Sequence, residues 1–197
     1  MKRYNKFIFV FLIYLSSFFN AYSIEPDIFV QSTVNRASEI LSQNLSKEEK
    51  IDKLKMIAEE TVDIRGIGFY TLGGVRKNLN GKDKEKYSKL FKNYFLKSFS
   101  SRLAEYTNPE IDVQGKKVLN ENYTIVNSVL KETKERPEIK IDWRIYTKNP
   151  ENPMIRDLII EGLSLARTQK EEFSSILSSN NGDINSLFKT LENFSKN

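Results

Sequence analysis

The chain has no cysteine and no histidine in 197 residues. Disulfides are excluded. So are thiolate and imidazole zinc sites, Ser-His-Asp and Cys-His nucleophile systems and CxxC redox centres, because each needs one of those side chains. A strong charge of one sign is also lacking. Of the 31 basic residues, Lys2, Arg3 and Lys6 fall in the first six positions, and beyond residue 23 the remaining 28 oppose 26 acids. A net of +2 is an ordinary surface and not the electrostatic footprint of a polyanion binder. Glycine loops that cradle phosphates are missing. No GxxxxGK[ST] occurs, and Gly66-x-Gly68 runs on to Thr71 where a dinucleotide fingerprint needs its third glycine. Asp157 and Glu161 are the conspicuous acidic pair in an apolar context, but four residues of strand separate them by about 13 Å. Glycosidase carboxylates stand about 5 to 9.5 Å apart, so the pair reads as charges on a solvated strand face. KEKYSKLFKNYF, residues 84–95, interleaves lysines with rings as a single-strand binder would. Its rings fall at helical spacing, which reads instead as a buried ring face under a solvated lysine face. Neither an enzyme, a cofactor nor a metal is supported.

What is present starts with an address. The three early charges are followed by FIFVFLIYLSSFF, residues 7–19, and then Ala21-Tyr22-Ser23. This basic, apolar, small-x-small order reads as a secretory signal peptide over residues 1–23, cleaved after Ser23. A membrane-spanning helix needs about 20 apolar residues, more than this run offers. Residues 24–197 are then one exported domain, and an exported chain without cysteine suits a bacterial periplasm, where disulfides are permitted but not required.

Residues 26–45 carry Val30, Val34, Ala37, Leu41 and Leu45 on one helical face, with Pro26 in the first turn. Ser46-Lys47-Glu48-Glu49 is a capping box opening a second helix with a stripe of Ile51, Leu54, Ile57 and Ala58. Residues 61–74 read as a short helix ended by a glycine turn. The longest helix spans about 82–106, with Tyr87, Leu90, Phe91, Tyr94, Phe95, Phe99, Leu103 and Tyr106 along it. From Pro109 the period falls to two, giving strands near 110–119, 122–133, 138–147 and 154–161. In the third, Ile139, Ile141, Trp143 and Ile145 alternate with Lys140, Asp142, Arg144 and Tyr146. Helices follow at 165–179 and 183–194. The order predicts an α+β domain: a four-stranded antiparallel meander sheet covered by N-terminal and C-terminal helices. Whether rings and sheet enclose a packed core or a cavity is left open by composition.

Two stretches are more specific than their periods. FYTLGGVRKNLNGKDKEKYSKLFKNYFLKSFSSRLAEY, residues 69–106, resembles the Leu-Gly turn and ring-bearing helix of the MlaC family, also called toluene-tolerance or Ttg2D-like proteins. IKIDWRIY (139–146) followed by IRDLIIEGLSLARTQKEEFSSIL (155–177) resembles that family's strand, Asp-x-x-x-Glu-Gly-x-Ser turn and following helix. Val75, Met154 and Lys170 depart from the pattern. The resemblance implies a periplasmic phospholipid carrier that maintains outer-membrane lipid asymmetry. Its partners would be an inner-membrane ABC transporter complex with its MCE-domain subunit and an outer-membrane lipoprotein/porin complex. The alternative is a periplasmic binding protein for another hydrophobic ligand.

A carrier must keep two acyl chains dry and leave the headgroup wet, because an unpaired buried phosphate costs more than it gains. The expected lipid-binding wall is the sheet face of Ile141, Trp143, Ile145, Leu158 and Ile160 opposite the rings of Phe69, Phe91, Phe95 and Phe173. Leu72, Val126, Leu130, Leu163 and Leu165 complete it. Arg144 and Arg156 are the candidate cations at its rim. Gly162 reads as a turn, and Asp157 as a residue that orients the strand end.

Overall fold

In the computed structural model, residues 23–134 and 136–196 are described, and the signal-peptide expectation for residues 1–23 lies almost wholly outside them. No helix among the described residues is long and apolar enough to cross a membrane. Helix α1 (Pro26–Ser42) buries Val30, Thr33, Val34 and Leu41, and it stops three residues earlier than its apolar period because Gln43 turns extended. Helix α2 (Lys47–Thr61) begins at the expected capping box: Ser46 accepts from Glu49 N while the Glu49 carboxylate accepts from Ser46 N. Helix α3 (Ile64–Thr71) is capped by Asp63, whose carboxylate accepts from Gly66 N at 2.7 Å. It gives way at Gly73, whose φ of +57° suits glycine, to a 3₁₀ turn over Gly73–Lys77. Helix α4 (Gly81–Leu103) starts at Asn80, which accepts from Asp83 N.

The sheet follows as a pure meander, β1 (Ile111–Asn120), β2 (Tyr123–Leu130), β3 (Ile139–Tyr146), β4 (Met154–Ile160) and β5 (Leu163–Ser164), each antiparallel to the next. It has five strands, not the expected four. The fifth is a two-residue pairing that closes a hairpin across Glu161 and Gly162, both at positive φ as such tight turns require. Two residues have no period to read, so the pattern left 163–164 as part of the connection between the fourth strand and the helix at 165. Helix α5 (Leu165–Ser179) follows at once, and α6 (Ile184–Lys196) buries Leu187, Phe188 and Leu191.

The alternation read along β3 holds. Ile141, Trp143 and Ile145 are buried on the inner face while Lys140 is exposed on the other. Register extends that face to Val126 and Ser128 on β2 and to Leu158 and Ile160 on β4. The helices cover it. Helix α4 packs on α2, α3 and α6, and α1 lies along α2 and β1. At the α2–α3 junction, Val62 bridges Ile155, Asp63 N donates to Ile155 O at 3.0 Å, and Arg156 reaches the Asp63 carboxylate at 2.6 Å. That end of the helical layer is fastened to β4.

A candidate ligand cavity

Helix α4 meets two different surroundings along its length. At its middle, Phe91 stands 5.8 Å from Tyr87, 6.2 Å from Tyr94, 6.1 Å from Phe95 and, edge-on, 6.2 Å from Phe173 of α5. Gly68 of α3 lets this cluster close, since a Cβ there would stand 2.7 Å from the Phe91 ring. The two phenols inside are satisfied: Tyr87 shares a hydrogen bond of 2.7 Å with Thr71, and Tyr94 donates to Gln169 at 2.7 Å. Burial pushes both phenols above their ordinary pKa, for Tyr94 with help from the Glu172 charge, so both remain neutral donors.

Toward the end of α4 the packing opens into a cavity of about 260 Å³. Its walls are Val34, Ala37 and Leu41 of α1, Leu54, Ile57 and Ala58 of α2, and Phe99, Arg102, Leu103 and Tyr106 at and beyond the end of α4. Opposite stand Ile111, Leu130, Ile141, Trp143, Ile155, Leu158, Ile160 and Leu165. The few polar groups in the wall are spent locally. Thr33 donates to Phe29 O, Ser38 to Pro109 O and Thr61 to Ile57 O. The Trp143 indole N–H donates to Ser128 Oγ at 2.8 Å, and that hydroxyl donates onward to Ile141 O at 3.0 Å. The interior therefore offers a ligand apolar surface and almost no hydrogen bond. Such a hollow excludes water and takes hydrocarbon. No carboxylate lines it, and Arg102 is the one charged residue of its wall.

Six of the residues expected to line a lipid slot meet at this cavity: Leu130, Ile141, Trp143, Leu158, Ile160 and Leu165. The others stand elsewhere. Phe91 and Phe173 are buried in the ring cluster, and Phe95 stacks on Phe99 at 5.4 Å. Phe69 lies under the Arg65 guanidinium, Leu72 is buried beside α3, and Val126 and Ile145 are fully buried on the inner sheet face. Leu163 is 59% exposed at the β4–β5 hairpin. The α1 and α2 residues were not expected in the wall, although their aliphatic stripes were legible. The available clue is size: Ala37 and Ala58 are the small residues of those stripes, and small residues facing a sheet leave room.

The reading of Asp157 as solvated is corrected. It is 3% exposed, and its carboxylate accepts from Ser164 Oγ at 2.6 Å, from Ala166 N at 3.0 Å and from Arg144 at 3.4 Å. Ser164 in turn accepts from Arg167 N and caps α5. Asp157 and Ser164 thus build the β4–β5–α5 corner, with Glu161 and Gly162 as its turn, because α5 folds back over a strand position that alternation alone assigns to solvent. Arg144 is held in that corner and Arg156 by Asp63, so neither lies in the cavity wall. Among the described residues no group of three or more Asp or Glu could hold a metal ion.

A family model described as MlaC protein matches residues 31–193. No curated protein matches the sequence. Among solved structures, the fold is similar to that of a phospholipid-binding protein from Ralstonia solanacearum determined in complex with a phospholipid. The TM-score is 0.74 at 16% identity, over 88% of this chain and 98% of that one.

Proposed function

Since the chain belongs to the MlaC family, we propose that it is a periplasmic phospholipid carrier, taking lipid between an outer-membrane complex and an inner-membrane ABC transporter with its MCE-domain subunit. The observation that carries this is the apolar cavity whose threonine and serine hydroxyls are spent on the protein's own backbone, with the exposed Arg102 as the one charged residue of its wall. A polar substrate gains nothing inside it. An acyl chain gains about 0.8 kcal/mol for each methylene removed from water. No reaction is proposed, because the wall holds no acid or base to perform one.

Volume sets a condition on the cargo. A methylene is about the size of a water, which takes about 30 Å³ of the liquid. The cavity of about 260 Å³ then holds roughly nine methylenes, whereas a diacyl lipid brings about thirty. Binding two chains therefore requires the walls to part. The α1–α2 hairpin is suited to this. Its α3 end is fastened to β4 through Val62 and Asp63, while near its turn Lys47 faces Glu105 across 3.8 Å of exposed surface. A second reading, a carrier of another hydrophobic ligand, is favoured by the same volume, since an apolar molecule shorter than one acyl chain fits with little rearrangement.

One extraction separates the two. Protein purified from the periplasm is extracted with organic solvent and the extract analysed by mass spectrometry; diacyl phospholipid at about one per chain supports the carrier, and a different amphiphile supports the alternative. Leu158→Asp or Ile160→Asp, each placing a charge in the wall, should abolish bound lipid at unchanged fold. Full lipid content in the folded variants would remove those positions from the binding surface. Transport direction is not a property of such a protein, which follows the difference in affinity between its two docking points.

A further inference from the structure

The mouth of the cavity is asymmetric in its charges. Register places Leu130, Ile139, Ile141 and Ile160 at one end of the sheet, where β1 begins and the β2–β3 loop projects. Tyr106 stands there, and it lines both the apolar cavity and a neighbouring open cleft that contains Arg136. We propose that Arg102 and Arg136, one on the cavity side of Tyr106 and one on the cleft side, form the seat for the phosphodiester of a lipid whose chains occupy the cavity. This assignment rests on the lipid-carrier reading above.

The argument is one of unspent hydrogen-bond donors. The Arg136 guanidinium lies over the Tyr106 ring at 5.1 Å, its Nε is buried without a partner, and its Nη2 reaches only Lys131 O at 3.4 Å. Arg156 supplies the contrast. It also lies over a ring, Tyr146 at 4.5 Å, and also has a lone buried Nε, yet a carboxylate 2.6 Å away compensates its charge. Among the described residues Arg136 has no such acid, and the side chain of Arg102, exposed in the cavity wall, makes neither a hydrogen bond nor an ion pair. Glu105 faces Lys47 at 3.8 Å and Glu110 faces Lys131 at 3.1 Å, and neither Glu132 nor Glu138, in the same loop, forms an ion pair with Arg136.

A buried N–H without a partner is costly, and a guanidinium offers a planar fork of donors that fits phosphate oxygens. A phosphodiester held there meets the Nη donors of Arg136 and stays at the water boundary, while the attached chains pass the Tyr106 ring into hydrocarbon. The seat reads phosphate and ignores what is esterified beyond it, as a carrier of mixed phospholipids requires.

The test equilibrates the lipid-free full chain with pyrene-labelled phosphatidylglycerol and, separately, with pyrene-labelled diacylglycerol, which has the same chains and no phosphate. The double variant R102Q/R136Q should weaken phosphatidylglycerol binding by about tenfold to a hundredfold. Diacylglycerol binding should be unchanged. R102Q alone alters only an exposed side chain, so the fold is not at risk, and it should show part of the loss. R102K/R136K should recover part of it, since lysine keeps the charge but not the fork. Equal losses for both probes, or no loss for either, would overturn the seat while leaving the carrier reading in place. If the wild-type chain binds neither probe, the carrier reading fails and the seat with it. Inorganic phosphate added to the lipid-free protein should leave the Arg136 Nε–H resonance unmoved at low millimolar concentration; a saturating shift would assign the seat to free phosphate and overturn its assignment to a lipid.

Discussion

Helix α4 is solid at one end and stands beside a void at the other, and the same kind of residue does both jobs. Through its first two thirds, Tyr87, Tyr94, Phe95 and Phe173 close around Phe91 with no room for a Cβ on Gly68. At its end, Phe99 and Tyr106 face Ala37, Ala58 and the sheet across open volume. The difference is what comes to meet them. Helices α3 and α5 bring a glycine and another ring to the solid end, whereas α1 and α2 bring alanines and aliphatic side chains that stop short of the sheet. The solid end can hold the fold while the hollow end deforms around a ligand.

Substitutions should divide along that boundary. Phe91→Ala removes the hub of the ring cluster and should cost about 3–5 kcal/mol in denaturant unfolding, with lipid content per folded molecule unchanged. A loss well below that would mean the cluster is not the firm half. Gly68→Ala forces a methyl against Phe91 and should cost about 1–3 kcal/mol, read as a fall in the thermal midpoint. Ala58→Phe is the mirror experiment. Its ring enters existing space, so stability should move by less than about 1 kcal/mol while bound lipid is lost. A strongly destabilised Ala58→Phe would contradict the void, and an undiminished lipid load would take α2 out of its wall.

The smallest effect concerns how the hollow half is held at its edge. Lys116 of β1 bonds the carboxylates of Glu25 and Asp27 at the start of α1, at 2.7 Å for Asp27. The Lys116 hydrogen bond holds the Asp27 carboxyl below its ordinary pKa, and the bonds to Asp27 and Glu25 hold the Lys116 ammonium above its own. The aspartate's contribution is present above the ordinary carboxylate value and is lost as pH falls through its lowered folded value. That of the lysine is present below the ordinary lysine value and is lost as pH rises through its raised one. Exposed pairs contribute about 0–1 kcal/mol, so Lys116→Met should lower the urea midpoint slightly at pH 7. The difference from wild type should vanish near pH 2; a gap that persists there would show that the lysine acts by packing.

Much of the fold was legible because local rules decided it. The Ser46 capping box, the alternation through Trp143 and the turn at Gly162 each stand where the sequence puts them, since capping, pleat and positive φ are settled within a few residues. The cavity was legible only on its sheet side. Phe91 and Phe173 have the same apolar periodicity as Phe99, and nothing in that periodicity tells which ring will be met by Gly68 and which by Ala58. Asp157 was misjudged for a related reason: alternation assigns it to the outer face, and only the return of α5 over β4 buries it.

The sequence by itself determined the helices and the four long strands, the inner and outer faces of the meander and, through the LGG and DLIIEGLSL stretches, the family. The tertiary structure decided where the interior is full and where it is empty, and that Arg102 rather than Arg144 or Arg156 stands in the cavity wall. Periodicity fixes which side of an element shuns water. Whether that side is then filled or left hollow depends on the shapes of partners distant along the chain.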